Sequence, residues 1–258
     1  MKRALTSLLM ALFVLNAAAQ SEDMPRNQKA ESADLTYTKK VTLRYLLFTP
    51  QGYDQDKKKK WPLMVFLHGA GERGTNLAKV AVHGPPKIVT NRPDFPFVLI
   101  SPQCPTGEVW QKEAIMALVD ETLKKYRVDP DRVYLTGLSM GGFGSWSLAA
   151  SYPDRFAAVA PICGGGNVLD VLLPAKGKEA ALKTLPIWAF HGGKDPVVKT
   201  EESQRMVDAF KRAGDNDVKL TIYPEAQHDS WTETYNNEDL YKWFLEQTRP
   251  QKPAKSEK

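Results

Sequence analysis

The sequence predicts an α/β fold with one mostly parallel central sheet and helices on both of its faces. From residue 41 onward, apolar β-rich runs alternate with stretches of helical spacing, which is typical of strand–helix–strand units. Several of the runs are continuously apolar, as strands buried on both faces are. The predicted strands cover residues 41–48, 63–67, 97–100, 133–136, 157–162, 187–190 and 218–223, and the predicted helices cover 115–126, 142–151, 201–213 and 237–247.

The organisation of the chain follows from its length and from its two polar ends. A chain of 258 residues, of which 42% are hydrophobic, favours a single folded domain, and the alternating pattern places it at 35–249. Residues 20–34 and 250–258 are too polar to bury much surface, and they are predicted to be disordered. Within the domain, residues 167–185 are longer than a simple connector and form either a short helix that roofs a pocket or an ordinary crossover helix.

The first 19 residues have the pattern of a secretory signal peptide. Lys2 and Arg3 precede a short apolar run, which ends in small residues at 17–19. A membrane anchor is the alternative, but a spanning helix needs about 20 apolar residues, and this run is shorter. No cysteine follows the run, so a bacterial lipoprotein would have no lipidation point. The sequence therefore predicts a secreted or periplasmic protein without a membrane anchor after signal removal.

The charge of the chain argues against nucleic acid as a partner. The formal net charge is +5, but Lys2, Arg3 and the lysine-rich tail carry most of it, which leaves about +1 for the folded part. A nearly neutral domain lacks the basic surface that nucleic-acid binding requires. The lysine run at 57–60 is interpreted as a solvated loop before a strand, with a surface-binding patch as the second possibility.

The two cysteines, Cys104 and Cys163, each follow an apolar strand-like run. This position favours two buried free thiols. Export would permit a disulfide, and because the sequence does not give the distance between the two residues, the disulfide stays open as the alternative.

The motif Gly137-Leu-Ser139-Met-Gly141 directly follows a β-rich run and precedes a stretch that fits a helix. This is the context of a nucleophile elbow, in which a strained strand-to-helix turn exposes a serine and leaves no room for side chains at the flanking glycines. The alternative is a helix N-cap serine after a glycine turn. Because a strand precedes the motif and a helix follows it, we predict that Ser139 is a nucleophile and that the fold is an α/β-hydrolase fold.

A serine hydroxyl needs an adjacent base, and histidine suits this role near neutral pH. Of the four histidines, His68, His83 and His191 lie before or within the other motifs. His228 comes after all of them, which matches the chain order of serine, acid and histidine in this fold. We therefore predict His228 as the general base.

The predicted acid is Asp195, which follows the strand at 187–190 through a short turn. Loops at the carboxyl ends of strands carry the functional residues of open α/β sheets. A turn or helix-capping aspartate is the alternative role, and Asp229 and Glu225 are rivals because they lie near His228 in sequence. A sequence neighbour rarely reaches back to the ring of its own histidine, which favours Asp195.

Two loops are predicted to surround the reacting carbonyl. Its developing oxyanion needs backbone N–H donors, and the amide of Met140 is one candidate because it follows the nucleophile. The second is Ala70, with Gly71 next, in a glycine-rich loop that could also be a plain structural turn. Trp231 and Trp110 are candidate substrate-binding residues, with a shelf for the histidine and core packing as their respective alternatives.

Five segments together resemble a known group of proteins. They are FLHGAGERG at 66–74, HGPPK at 83–87, PQCP at 102–105, GLSMGG at 137–142 and HDSWTETY at 228–235. The chain resembles bacterial secreted carboxylesterases related to feruloyl esterases and polyhydroxybutyrate depolymerases, a group also described as dienelactone-hydrolase-like or as predicted peptidases. The resemblance spans about residues 36–247.

This resemblance implies hydrolysis of carboxylic esters by Ser139, Asp195 and His228, without a metal or organic cofactor. The chain departs from true dienelactone hydrolases, which have cysteine at the position of Ser139, and it lacks the propeller domain of prolyl oligopeptidases. We expect a serine carboxylesterase that acts on extracellular feruloyl, acetyl or similar acyl esters, either small molecules or groups linked to polysaccharide. A serine peptidase and an inactive binding module are the alternatives, and the intact triad argues against the second.

Overall fold

The structure of the chain is a computed structural model, and it describes residues 31–249. The predicted signal peptide, the predicted tail and most of the predicted linker lie outside these residues and stay predictions. Residues 31–40 form one unit, contain no helix or strand and are exposed. All described helices and strands belong to the unit that begins at Val41, and no helix of the described part is long and apolar enough to cross a membrane.

The central sheet has seven strands in the order β1-β3-β2-β4-β5-β6-β7. β1 pairs with β3 in antiparallel fashion, and the other neighbours are parallel, which confirms the predicted mostly parallel sheet. The strands are β1 Tyr45–Phe48, β2 Trp61–Leu67, β3 Val98–Pro102, β4 Val128–Leu138, β5 Ala158–Ile162, β6 Ile187–Gly192 and β7 Val218–Tyr223.

Helices cover both faces of the sheet, as the alternating pattern predicts. α2, α3 and α6 pack on one face, and α1, α7 and α8 pack on the other. The helices are α1 Gly84–Ile88, α2 Lys112–Lys125, α3 Met140–Ser151, α4 Val168–Leu172, α5 Glu179–Leu182, α6 Thr200–Arg212, α7 Trp231–Asn236 and α8 Glu238–Glu246. Short 3-10 turns occur at Ala70–Glu72, Leu77–Val82 and Pro153–Arg155.

The continuous apolar run of β2 has a direct structural reason. Side chains of a strand alternate between its two faces, so Leu63 and Val65 enter one hydrophobic cluster while Met64 and Phe66 enter the other. All seven residues of β2 are buried. A strand with two buried faces needs apolar residues at every position, which is why such runs identify the centre of this sheet.

Two strands begin more than two residues away from their predicted start. β1 begins at Tyr45 instead of residue 41, because only four residues of this edge strand pair with β3. β4 begins at Val128, five residues before its prediction, because Val128 pairs with Trp61 ahead of a register shift. The intervening residues 129–132 are Asp, Pro, Asp and Arg, so the apolar pattern misses this part of the strand.

Four short helices, α1, α4, α5 and α7, do not match the predicted helices. Gly84, with φ of 66°, opens α1, and Pro85 and Pro86 follow it in the first turn of the helix. The segment 167–185 contains both α4 and α5 instead of one roof helix, and each sends one residue into the core beside the sheet. Trp231 begins α7, which the sequence analysis did not predict.

Two smaller predictions are confirmed by the described residues. Cys104 and Cys163 are both buried and free, so the alternative of a disulfide was wrong. The lysine run at 57–60 is an exposed loop directly before β2, and Lys57 pairs with Asp54.

Candidate active site

Ser139 lies in the sharp turn between β4 and α3, with φ of 51° and ψ of −116°. Positive φ is uncommon for residues other than glycine and indicates strain. A Cβ atom on Gly137 would lie 2.4 Å from the carbonyl oxygen of Gly141, and one on Gly141 would lie 1.9 Å from that of Leu67. Only glycine fits at both positions, and the Ser139 side chain remains partly exposed.

The structure brings Ser139, His228 and Asp195 into one chain of hydrogen bonds. His228 follows β7, and its Nε2 lies 2.9 Å from Ser139 Oγ. Asp195 follows β6, and its Oδ2 lies 2.7 Å from His228 Nδ1. The ionised carboxylate accepts only, so Nδ1 carries the hydrogen and the lone pair of Nε2 faces the serine hydroxyl. In this state the imidazole can take the serine proton.

Asp195 is buried, and its environment keeps it ionised. Burial by itself raises the pKa of its carboxyl group. The hydrogen bond from His228 and those from the N–H groups of Val198 and Val197, at 2.9 Å and 2.8 Å from Oδ1, outweigh this effect, so the pKa lies below its ordinary value. A buried carboxylate that stays charged can stabilise a cation on the neighbouring imidazole.

The two rival acids do not contact the ring of His228 in this structure. Glu225 is exposed and pairs with Lys194 on the surface. Asp229 is exposed beside His228 in sequence, and the carboxylate that reaches the ring belongs to Asp195. The geometry therefore brings the predicted acid, and neither rival, to the histidine.

The candidate oxyanion donors border the nucleophile from two directions. Met140 is the first residue of α3, and the first N–H groups of a helix have no intrahelical acceptor. Ala70 and Gly71 lie in the exposed 3-10 turn after β2. A Cβ atom on Gly69 would lie 3.6 Å from Ser139 Cβ and 2.8 Å from a methyl group of Leu138, so this loop passes directly beside the nucleophile.

Hydrogen bonds of the buried His68 hold the loop after β2, which carries Ala70 and Gly71, in place. Its Nε2 accepts the backbone N–H of Cys104 at 3.0 Å, so its Nδ1 carries the hydrogen and donates to the carbonyl oxygen of Gly69 at 2.6 Å. Burial lowers the pKa of His68, which favours the neutral ring that this pattern requires. Arg73 adds a bond from Nε to the carbonyl oxygen of Ala70 at 3.0 Å. These contacts depend on the fold, and the spacing of the motif contains no signal for them.

The two tryptophans have different surroundings. Trp231 stands edge-on to the ring of His228, with 5.2 Å between centroids, and its other neighbour is His83 at 5.5 Å. Trp110 packs against the core, and its Nε1 donates to the carbonyl oxygen of His68 at 3.1 Å. Trp231 thus borders the reacting atoms, whereas Trp110 supports the loop that carries Ala70. A role in substrate binding stays a prediction for both.

Cys163 lies directly behind the nucleophile, and sequence reasoning did not assign it a place there. Its Sγ is 3.3 Å from the backbone N of Ser139, and its backbone has φ of 41°. Burial raises the pKa of the Cys163 thiol to about 12, so the group stays protonated near neutral pH. The thiol is therefore a packing element of the elbow, and the hydroxyl that this geometry exposes is that of Ser139.

Within residues 31–249, no group of three or more histidine, cysteine, aspartate or glutamate side chains is placed to hold a metal ion. The prediction that the chemistry needs no cofactor stays a prediction.

Comparisons with known proteins place this geometry in a family. The chain is 28% identical over 193 residues to a bifunctional acetylxylan esterase/xylanase of Neocallimastix patriciarum, with 70% of this chain and 26% of that protein covered. It is 35% identical over 115 residues to poly(3-hydroxyalkanoate) depolymerase C of Paucimonas lemoignei, with 40% and 28% covered. The chain therefore spans about a quarter of the length of these two relatives.

Among solved structures, a thermostable esterase superposes with a TM-score of 0.66 at 34% identity, with 81% of this chain and 60% of that chain covered. This similarity confirms the predicted α/β-hydrolase fold. The model of the dienelactone hydrolase family matches residues 102–243, which is 142 of the 258 residues and includes Ser139, Asp195 and His228. The chain therefore belongs to the dienelactone hydrolase family.

Proposed function

We propose that this protein is a carboxylic ester hydrolase that works through an acyl-enzyme on Ser139. The observation that carries the proposal is the hydrogen-bond chain from Ser139 Oγ through His228 to the buried Asp195 carboxylate, set on a strained elbow. The esterase names of the similar proteins support the same chemistry. A serine with a positioned base and a buried acid is suited to acyl transfer.

The first half of the reaction forms the acyl-enzyme. His228 Nε2 takes the proton of Ser139 as Oγ attacks the ester carbonyl, and the Asp195 carboxylate stabilises the imidazolium. The amides of Met140 and of Ala70, with Gly71 as the alternative to Ala70, donate to the oxyanion of the tetrahedral intermediate. When the intermediate collapses, the C–O bond to the alcohol breaks and His228 returns its proton to the leaving oxygen.

The second half releases the acid. His228 takes a proton from water as the water oxygen attacks the acyl carbonyl, the same amides hold the oxyanion, and the proton returns to Ser139 Oγ when the carboxylic acid leaves. One ester and one water give one acid and one alcohol. No group other than those of this chain is required in these steps.

The proposed substrates are extracellular esters with feruloyl, acetyl or similar short or aromatic acyl groups, on small molecules or on polysaccharide. The predicted signal peptide supports an exported enzyme, and Trp231 offers an aromatic face beside His228. The acetylxylan esterase and polyhydroxyalkanoate depolymerase among the similar proteins act, by their names, on polymer-linked or polymeric esters. Location and substrate are part of the proposal.

The experiment measures the turnover of matched esters and amides by two proteins. They are the protein from residue 20 onward and its Ser139→Ala variant. We expect ester turnover for the unmodified protein and a loss of about 10⁴-fold or more for Ser139→Ala. Ser147→Ala, on the same helix α3, is the matched control and should keep full activity. Turnover of amides without esters would replace this proposal with a serine peptidase, and full activity of Ser139→Ala would refute the nucleophile.

A further inference from the structure

His191 is a fully buried histidine that contacts Asp195. It lies near the end of β6, four residues before the acid, and its Nε2 is 3.3 Å from Asp195 Oδ2. The same nitrogen lies 2.9 Å from the carbonyl oxygen of Val198. A carbonyl oxygen only accepts, so Nε2 of His191 carries a hydrogen and donates it to Val198, and Asp195 Oδ2 lies in contact beside this hydrogen bond.

The other ring nitrogen of His191, Nδ1, contacts helix α6. Nδ1 of His191 lies 2.7 Å from Oγ of Ser203 on α6. In a neutral ring Nδ1 accepts the hydroxyl hydrogen of Ser203, whose Oγ also lies 2.9 Å from the carbonyl oxygen of Gly164 after β5. The imidazole is therefore fixed at both ends, between the turn that carries Asp195 and the helix that packs behind it.

Val198 links His191 to the acid a second time. Its backbone N–H donates to Asp195 Oδ1 at 2.9 Å, while its carbonyl oxygen accepts from His191. His191 thus contacts Oδ2 of the carboxylate directly and restrains the residue that binds Oδ1. Both oxygens of the carboxylate depend on the position of this one ring.

We propose that His191 is a positioning residue for Asp195, which holds the carboxylate in the plane and at the distance that its hydrogen bond to His228 requires. This inference rests on the proposed ester hydrolysis. Small displacements of catalytic groups reduce rates strongly, so loss of the ring lowers kcat. Because His191 is buried and its contacts are with the turn and α6, KM stays nearly constant.

A change at His191 also alters the charge that His228 experiences. The N–H of His191 has the positive end of its dipole beside Asp195 Oδ2. When it is removed, the carboxylate directs more negative charge to His228, so the imidazolium is favoured and the acid limb of the pH–rate profile moves to higher pH. The other ionisable groups around this pair are unchanged by the variants. They are Cys163, Asp229, and the surface pairs Lys194–Glu225 on the turns and Arg205–Glu202 on α6.

The test compares His191→Leu with His191→Gln, since glutamine keeps an N–H donor at a similar reach. For His191→Leu we expect kcat to fall about 10- to 100-fold with KM changed less than about twofold, and the acid limb to move to higher pH. For His191→Gln we expect recovery to within about fivefold of the unmodified kcat, with the acid limb back near its original position.

Thr200→Val is the matched structural control. Thr200 Oγ1 donates to the carbonyl oxygen of Gly192 at 2.8 Å, and this hydrogen bond closes the same turn without reaching Asp195 or His228. We expect a lower melting temperature for this variant with an unmoved acid limb. If His191→Leu also leaves the acid limb in place, or keeps its full kcat, the positioning role is refuted.

A second readout separates this inference from the proposed function. The rate of fluorophosphonate labelling requires the same base and acid but no particular substrate, and it is measured for each variant. Failure of the unmodified protein to hydrolyse any ester would refute the proposed function, whereas equal labelling rates for it and His191→Leu would refute the inference. If His191→Leu does not fold, Ser203→Ala replaces it, since it removes the contact that holds Nδ1 of the ring. A kcat and a labelling rate in Ser203→Ala equal to those of the unmodified protein then overturn the proposal.

Discussion

Asp195 and Asp215 are both buried aspartates beside the last strands of the sheet, but their surroundings are opposite. Asp195 follows β6 at the carboxyl edge of the sheet and accepts three hydrogen bonds, one from His228 and two from backbone N–H groups. Asp215 precedes β7 at the amino edge, where Oδ1 accepts one N–H from Asp217 and Oδ2 has no partner. Both side chains are buried, at 4% and 1% exposed, and they differ in their hydrogen-bond donors and in the neighbouring charge, which is His228 for Asp195 and Asp217 for Asp215.

The difference shows in the direction of the two pKa shifts. At Asp215 burial is the largest effect, and it raises the pKa of the carboxyl group to about 6. At Asp195 burial acts in the same direction, but the donors around the group outweigh it and lower the pKa. Of these two buried carboxylates, the pKa lies below its ordinary value only where donors converge on the group, at the carboxyl edge of the sheet where the turns that follow the strands meet.

The largest expected effect follows from removing the charge of Asp195. In Asp195→Asn, the amide oxygen can still accept hydrogen bonds from the N–H groups of Val197 and Val198. The neutral amide cannot orient His228 as an ionised carboxylate does. We expect kcat/KM for an ester to fall about 10³- to 10⁴-fold. Asp229→Asn is the control, since Asp229 is exposed, and its kcat/KM should stay within about twofold. A larger loss in Asp229→Asn than in Asp195→Asn would assign the acid to the rival.

A smaller effect, on stability, follows from Asp215. Its pKa in the folded state lies above its value of 3.8 in the unfolded state, so the folded state binds the proton more tightly. This contribution to stability is fully present below about pH 3.8, is lost as the pH rises to about 6, and does not change above that.

The Asp215→Asn variant removes this dependence. The free energy of unfolding of the variant, minus that of the unmodified protein, should increase by about 2–3 kcal/mol from pH 4 to pH 7, as measured by urea unfolding at both pH values. A difference between the two proteins that does not change with pH would show that Asp215 does not titrate in this range. Ester turnover per folded molecule should be unaffected.

The sequence predicts well those strands whose position depends on a single physical effect, the burial of both of their faces. β2 and β5 are apolar throughout because both of their faces are buried, so their positions are visible in the sequence. The early start of β4 is not visible, because Val128 pairs with Trp61 and the charged, proline-containing residues 129–132 separate it from the next pair, Val133 with Leu63. Helix α7 begins at Trp231 inside a motif, and its six residues are too few to show a helical period.

The same distinction applies to the candidate site. The approach of Ser139, Asp195 and His228 follows from sequence, since the carboxyl ends of parallel strands lie at one edge of the sheet. The contacts of His191 with Asp195 and of His68 with Cys104 depend on the conformation of the turns that carry these residues. The spacing of residues in the sequence does not predict that conformation. Sequence therefore indicates which residues can react and leaves open which ones hold them.

The most direct test of the central claim is the site of labelling by a small fluorophosphonate. The protein from residue 20 onward is treated, digested and analysed by mass spectrometry, with Asp195→Asn as a slow-labelling comparison. The account predicts one adduct, on the peptide that contains Ser139, formed much more slowly in Asp195→Asn. The absence of an adduct, or an adduct on another serine at the same rate in both proteins, would contradict it.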